Sequence, residues 1–262
     1  MNILFIGDIV GHSGRAAVQK LVPELRKEFN LSMVIANAEN CAAGAGLTSG
    51  CLKDMRKYVD FFTAGDHVWD QKDFEKEING IHDIVRPANL STMQPGVGMK
   101  IVRNPVAGEI AVIALQGKVF MRDSAYCPFE TAEKLLTQVP ANVKTILVDF
   151  HAEATSEKIA MGYFLDGKVT AVIGTHTHVQ TNDAKILPNS TAYLTDVGMV
   201  GAEYSVLGRS VEEVIKKFRS GMPRRLPVAE GIIRLDGCII DYDYNTGKAN
   251  GIKTISRMTE IN

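Results

Sequence analysis

Short apolar runs that end in a polar residue recur along the chain: Ile3–Ile6, Met33–Ala36, Phe61–Ala64, Ile110–Leu115, Thr145–Val148, Val169–Ile173 and Ala192–Leu194. Rich in β-branched residues and bounded by Gly, Asp or Asn, they predict strands buried on both faces. Helical periodicity lies between several of them. Val18, Leu21, Val22, Leu25 and Phe29 fall at helical spacing after a Gly11-His-Ser-Gly14 turn, and further helices are predicted around Ser49–Tyr58, Phe129–Thr137, Ser156–Phe164 and Val211–Arg219. Strand–helix alternation implies crossover connections and a mainly parallel sheet. The end of the chain differs: Val228–Leu235, Cys238–Tyr244 and Ile252–Met258 read as an antiparallel meander, with turns at Asp236-Gly237 and Asn245-Thr-Gly247. No linker, low-complexity tract or repeat interrupts the pattern. Residues 1–262 read as a single α/β domain of two packed sheets flanked by helices.

Composition narrows the class. With 262 residues, 45% hydrophobic and 23% charged, the chain is long enough for a large core without disulfides. A formal net charge of −1 argues against bulk electrostatic affinity for nucleic acid or anionic membrane. The four cysteines, Cys41, Cys51, Cys127 and Cys238, are too scattered for a disulfide framework or structural zinc. The N-terminal apolar run meets Asp8 too early for a signal peptide, and no apolar run approaches a membrane span. A cytoplasmic protein with reduced thiols is expected.

The chemistry sits where strands end. Asp8 follows the first run, Glu39-Asn40 the second and Asp66-His67 the third; His151 closes the strand at 145–150, and His176 and His178 follow the strand ending at Gly174. Loops beyond the carboxyl ends of strands in an α/β sheet converge on one crevice. Taken singly, Asp8 could cap a helix, Glu39-Asn40 could form a turn and His151 could be a core histidine. His176 and His178, as alternate residues of an extended segment, should face one ion together. Jointly these residues suit two divalent ions ~3.5–4 Å apart, which require a bridging carboxylate, mixed N/O ligands and an open edge. Glu39 is the candidate bridge. A set of imidazole, carboxylate and amide without thiolate favours iron, manganese or zinc. Such ions would acidify a bridging water to hydroxide and polarise a phosphoryl oxygen.

Gly7-Asp8, Glu39-Asn40, Gly65-Asp66-His67, Asp149-Phe-His151-Ala-Glu and Gly174-Thr-His176-Thr-His178 resemble the ordered motifs of calcineurin-like metallophosphoesterases. Gly7-Asp-Ile-Val-Gly11, His67-Val-Trp-Asp70, Arg86-Pro-Ala-Asn89, Phe150-His-Ala-Glu-Ala-Thr-Ser-Glu157 and Thr195-Asp-Val-Gly-Met199 resemble its bacterial YmdB-like branch, over nearly the entire chain. The resemblance implies a four-layer α/β/β/α sandwich of two mixed sheets and a di-metal centre, with iron the first choice and manganese or zinc behind it. It also implies phosphodiesterase activity on 2′,3′-cyclic nucleotides, with cyclic dinucleotides as a further substrate class, and roles in gene regulation. Carried over, Asp8, Glu39, Asn40 and His178 would hold the first metal, Glu39, Asp66, His151 and His176 the second, and His67 would be the general acid assisting attack by a metal-bridging hydroxide. Two positions depart from the wider pattern: Val10 stands where a ligand histidine is usual, and Asp66 where relatives place Asn.

Two alternatives accompany this reading. One is a phosphomonoesterase on the same centre; the other is a regulatory metal-binding protein acting through RNA or a protein partner. The near-neutral charge gives RNA no support, a homo-oligomer is left open, and no membrane role is expected. Trp69 is expected to pack beneath the His67 loop, Asp149 to orient a ligand or cap its strand, and Lys216-Lys217, Arg219 and Arg224-Arg225 to form a solvated basic face near a helix end.

Overall fold

A computed structural model describes residues 1–122 and 124–261. In chain order its elements are β1 (Asn2–Ile6), β2 (Asp8–Ile9), α1 (Gly11–Glu28), β3 (Leu31–Asn37), α2 (Ser49–Met55), β4 (Phe61–Thr63), α3 (Phe74–Glu77) and β5 (Ile84–Val85). There follow β6 (Met99–Asn104), β7 (Gly108–Gln116), α4 (Pro128–Leu136), β8 (Thr145–His151), α5 (Thr155–Leu165) and β9 (Ala171–Thr175). The chain closes with β10 (Lys185–Ile186), β11 (Ala192–Leu194), β12 (Met199–Ala202), α6 (Val211–Ser220), β13 (Ile232–Tyr242) and β14 (Ala249–Glu260).

Two mixed sheets result. The first runs β2-β12-β13-β1-β3-β4-β5 with β14 also paired to β13; the second runs β10-β11-β9-β8-β7-β6. Strands β1, β3, β4 and β5 are mutually parallel, as are β7, β8, β9 and β11. Their carboxyl ends therefore gather at one side of each sheet.

Side-chain alternation builds the layers. Ile3 and Phe5 point from β1 into the space between the sheets, where they meet Ile110, Val112, Leu147 and Ile173. Leu4 and Ile6, one residue out of phase, pack under Val18, Leu21 and Leu25 of α1. On the far face of the second sheet, Val148, Phe150 and Val172 pack with Ala132 of α4 and Met161 of α5. The order is helix, sheet, sheet, helix, the four-layer sandwich that the resemblance implies.

The chain's end corrects the sequence reading. Asp236-Gly237 is no turn: β13 runs through it unbroken, paired along one edge with β14 and along the other with β12 and β1. Gly237 lies opposite Ile6, and a Cβ there would press on the Phe5 carbonyl. The glycine thus serves a close backbone approach inside a sheet. Asn245-Thr-Gly247 does turn the chain, with Gly247 at φ +72°. In place of the expected three-stranded meander stands one long hairpin.

Candidate metal centre

Every predicted strand-end residue arrives at one cleft where the two sheets meet. Asp8 opens β2 directly after β1, Glu39 and Asn40 follow β3, and Asp66 and His67 follow β4, all from the first sheet. His151 is the last residue of β8, and His176 and His178 follow β9, from the second. Gly65 permits the crowding, because a Cβ there would collide with the His151 ring and the Glu39 carboxylate.

At one end of the cleft four side chains converge: Glu39, Asp66, His151 and His176 offer ligand atoms within 4.8 Å of one another. His151 Nε2 lies 2.9 Å from Asp66 Oδ1, 3.2 Å from Glu39 Oε1 and 3.0 Å from His176 Nδ1. His176 Nδ1 is 3.3 Å from Asp66 Oδ1. At the other end, the Asn40 side-chain amide donates to Glu39 Oε1 at 3.1 Å and lies 3.3 Å from His178 Nε2, which is 4.0 Å from Asp8 Oδ1. Glu39 stands between the two groups.

The local backbone explains this division and corrects the expectation for the paired histidines. Beyond β9 the chain is not extended: His176 has φ +99° and His178 φ +63°. Those conformations cost side-chain-bearing residues energy and persist only where surroundings enforce them. The two imidazoles consequently go to opposite ends of the cleft instead of facing one point. Asp196, fully buried, holds the turn: its Oδ2 accepts from Thr177 N at 3.0 Å and from Lys158 Nζ at 2.6 Å.

The electrostatics call for cations. Burial pushes the Asp8 carboxyl well above its ordinary pKa. One of its oxygens accepts from His176 N at 3.1 Å, while Oδ1 is buried without a hydrogen-bond partner among the described residues. Burial also opposes ionisation of Glu39 and Asp66, yet the His151 imidazole, joined at Asp66 by His176, holds both carboxyls below the ordinary range. His151 is pulled the other way: burial would lower its pKa, and the Glu39 and Asp66 carboxylates raise it well above the usual value. Burial lowers His178 to about 4, leaving a neutral imidazole at neutral pH, the form that ligates metals. An orphaned carboxylate oxygen and three acids gathered on imidazoles fit a divalent-cation centre.

Further residues, without a role in the sequence reading, complete the cleft. His67 Nδ1 is 2.7 Å from Asp70 Oδ2, and Arg122 lies 3.7 Å from the other Asp70 oxygen. Glu153 Oε2 is 3.2 Å from His176 Nε2. Arg209 lines the cleft and donates to the Ala43, Gly44 and Leu226 carbonyls. The His-x-x-Asp spacing was the available signal for Asp70, and the motif Asp149-Phe-His151-Ala-Glu that for Glu153; Arg209 had none. Trp69 packs against Phe74 and donates to Gln94, as expected of a residue beneath the loop. The cleft measures about 320 Å³; a larger groove of about 520 Å³ beside His12 and Arg225 carries no such acid–imidazole set.

Fold and site together define a hydrolytic phosphoesterase of the calcineurin-like kind with a site for divalent metals. A calcineurin-like phosphoesterase of Bacillus subtilis, YfkN, shares the fold with a TM-score of 0.55 at 14% identity, over 98% of this chain and 90% of that one. The particular family follows from closer likenesses. Residues 4–255 match the family described as YmdB-like protein, and the chain belongs to it. It is 44% identical over 256 residues to the 2′,3′-cyclic-nucleotide 2′-phosphodiesterase of Bacillus subtilis (strain 168), covering 97% of this chain and 96% of that protein. Two solved structures superpose with a TM-score of 0.91: a hypothetical protein from Thermus thermophilus, at 36% identity over 98% and 99% of the chains, and a phosphatase from Mycoplasma pneumoniae, at 33% over 98% and 93%.

Proposed function

We propose that the protein is a cytoplasmic phosphodiesterase that opens 2′,3′-cyclic nucleotides. The observation that carries this reading is the 44% identity, over almost the whole of both chains, to a protein of that name. We read residues 1–262 as one catalytic unit, because a single buried layer joins the two sheets. The four cysteines are unpaired, in keeping with a reducing compartment.

Asp8, Glu39, Asn40 and His178 would hold one metal and Glu39, Asp66, His151 and His176 the other, with iron first and manganese or zinc as alternatives. A half-turn of the Asn40 amide presents its oxygen in place of its nitrogen. When bound, the ions supply an acidified water and a polarised phosphoryl oxygen. The remaining work falls to the protein. Thr175 Oγ1 donates to Asp149 at 2.6 Å and lies 2.8 Å from His151 Nδ1. It therefore accepts the proton on Nδ1 and leaves Nε2 free to ligate. Asp70 holds His67 by Nδ1, so that Nε2 is the nitrogen free to act in the cleft. There it can hand a proton to the departing ribose oxygen, a contribution typically of about 10²–10⁴-fold.

The test is His67→Ala, measured on 2′,3′-cyclic AMP, on bis(p-nitrophenyl) phosphate and on 3′-AMP. Turnover of the cyclic nucleotide should fall about 10²–10⁴-fold, with a much smaller loss for p-nitrophenolate, which hardly needs a proton. Equal losses on both diesters would remove His67 as the acid. Faster turnover of 3′-AMP than of the cyclic diester by the wild type would favour a phosphomonoesterase.

A further inference from the structure

Two of the four cysteines lie together. Cys41, directly after Asn40, is fully buried, while Cys51 sits half-buried on α2. Cys41 belongs to the core cluster that α1 and α2 cover, and Cys51 packs against that same cluster. The Cys41 thiol donates a hydrogen bond to the Cys51 sulfur, and Thr48 binds both: its backbone N–H donates to the Cys41 sulfur and its hydroxyl to that of Cys51. The Cys51 N–H in turn donates to Thr48 Oγ1 at 3.2 Å. Neither thiol has a part in the cleft chemistry. Two sulfurs in contact, one of them reached by solvent, form the arrangement from which a disulfide closes with little backbone movement.

The surroundings favour the charged form of Cys51. Arg15 of α1 frames the pair: Nη1 donates to the Cys41 carbonyl, Nε is 3.4 Å from Asp54 Oδ2 of α2, and Nη2 is 3.4 Å from His12 Nδ1. The Cys41 hydrogen bond lowers the Cys51 pKa to about 6 against the opposing effect of burial. The Thr48 hydroxyl and the Arg15 guanidinium pull the same way, and the Asp54 carboxylate pulls against them. Cys51 is therefore mostly thiolate at neutral pH, the form that attacks an electrophile. A thiol whose pKa lies this close to ambient pH also keeps much of its intrinsic nucleophilicity. Cys238 shows the contrast: it lies between the sheets, and burial pushes its thiol up.

We propose that Cys51 is a modification site for hydrogen peroxide, with Cys41 as the thiol that resolves the product to a disulfide. In the first step the Cys51 sulfur attacks one peroxide oxygen, the O–O bond breaks, and the released hydroxide takes up a proton as water. The sulfur loses two electrons to the peroxide and becomes a sulfenic acid. In the second step the Cys41 sulfur attacks the Cys51 sulfur; the S–S bond forms, the S–O bond breaks, and the departing hydroxide leaves as water with the Cys41 proton. Two thiols and one peroxide thus give one disulfide and two waters. The bridge would tie α2 to the loop that starts at Asn40 and carries Gly44 to the cleft.

Treating the full-length protein with a small excess of hydrogen peroxide, quenching with catalase and mapping tryptic peptides by mass tests this. Both cysteines fall in one peptide, residues 28–53, because no Lys or Arg lies between Lys27 and Lys53. That peptide should lose two hydrogens, about 2 Da, and regain them with dithiothreitol. In Cys41→Ala, dimedone should trap Cys51 as the sulfenic acid, and in Cys51→Ser the Cys41 thiol should survive the same treatment. Iodoacetamide alkylation of Cys51 in the wild type depends on no variant, and its rate should reach half its plateau at about pH 6. Oxidation of Cys127 while peptide 28–53 keeps both thiols would overturn the proposal. So would an alkylation midpoint above about pH 8, where ordinary thiols titrate. A dimedone adduct as abundant in the wild type as in Cys41→Ala would remove Cys41 as the resolving thiol and overturn the pair.

Discussion

Lys158→Met removes the cation from an ion pair that has no access to water. Lys158 and Asp196 are 1% and 0% exposed, 2.6 Å apart, and Lys158 also donates to Thr175 O at 2.7 Å. Methionine fills the aliphatic space but leaves the Asp196 carboxylate buried and unneutralised. Breaking a buried pair from one side typically costs about 3–5 kcal/mol. Two backbone donors remain to Asp196, Thr177 N at 3.0 Å and Gly198 N at 2.9 Å, so the lower end applies. For 262 residues, unfolding entropy at about 2.1 cal/mol/K per residue makes about 3 kcal/mol a fall of about 5 °C in Tm.

The loss should reach the cleft as well, because Asp196 fixes Thr177 between the two positive-φ histidines. Scanning calorimetry of metal-free protein at pH 7 gives the first number, and metal content after dialysis gives the second. Lys76→Met serves as control: its partner Asp73 is equally exposed, so Tm should stay within about 1 °C. A Tm loss below about 2 °C in Lys158→Met would refute the reasoning, by showing that Asp196 needs no buried cation. Retained metal despite the full Tm loss would show that the histidine turn is held by other contacts.

Asp66→Asn, which exchanges the carboxylate for a neutral amide of the same shape, should lower divalent-metal retention, keep activity under metal excess and move the basic-side onset of activity to lower pH, since a neutral ligand leaves the metal more acidifying; unchanged metal affinity on titration would exclude Asp66 as a ligand. Asp183 accepts from Thr181 Oγ1 at 2.7 Å, Thr195 Oγ1 at 2.5 Å and Thr195 N at 3.2 Å, and against the opposing effect of burial these donors hold its carboxyl below the ordinary value. A depressed folded pKa adds stability that is present above about pH 4 and is lost as pH falls through the folded value. Urea unfolding of Asp183→Asn should therefore show a deficit against wild type at about pH 6 that shrinks at about pH 3; a deficit independent of pH would mean that the charge is irrelevant.

Much of this was legible in the sequence because parallel strands deliver chemistry at their carboxyl ends. Asp8, Glu39, Asp66 and His151 could be placed on a common rim from strand boundaries alone, since a residue closing a buried strand has few other places to be. What failed depended on partners distant in sequence. Asp236-Gly237 carries a turn signal, but β1, β12 and β14 occupy both edges of the strand there and leave it no room to reverse. His176 and His178 alternate like strand residues, yet β9 stops at Thr175, and Asp196, beyond β11, bends the chain. The two-residue strands β2, β5 and β10 are too short to carry any period.

How candidate ligands from two separate sheets keep a common spacing is answered beneath the cleft, at Asp149. Its carboxylate, on β8 of the second sheet, accepts from Asn37 Nδ2 of β3 at 3.1 Å and from Thr63 Oγ1 of β4, both in the first sheet. It also accepts from Thr175 of its neighbour β9. Burial pushes the carboxyl upward in pKa, and the three donors oppose that push and satisfy the oxygens. Asn37 Oδ1 in turn accepts from the backbone of Glu39 at 3.0 Å, and Thr175 Oγ1 meets His151 Nδ1 at 2.8 Å. One buried acid therefore stands a single residue away from both Glu39 and His151, whose ligand atoms are 3.2 Å apart across the sheet boundary. The two sheets are held together by their apolar layer, but apolar packing alone would tolerate sliding by tenths of an ångström. Hydrogen bonds with fixed directions do not, and they lie directly under the candidate ligand atoms.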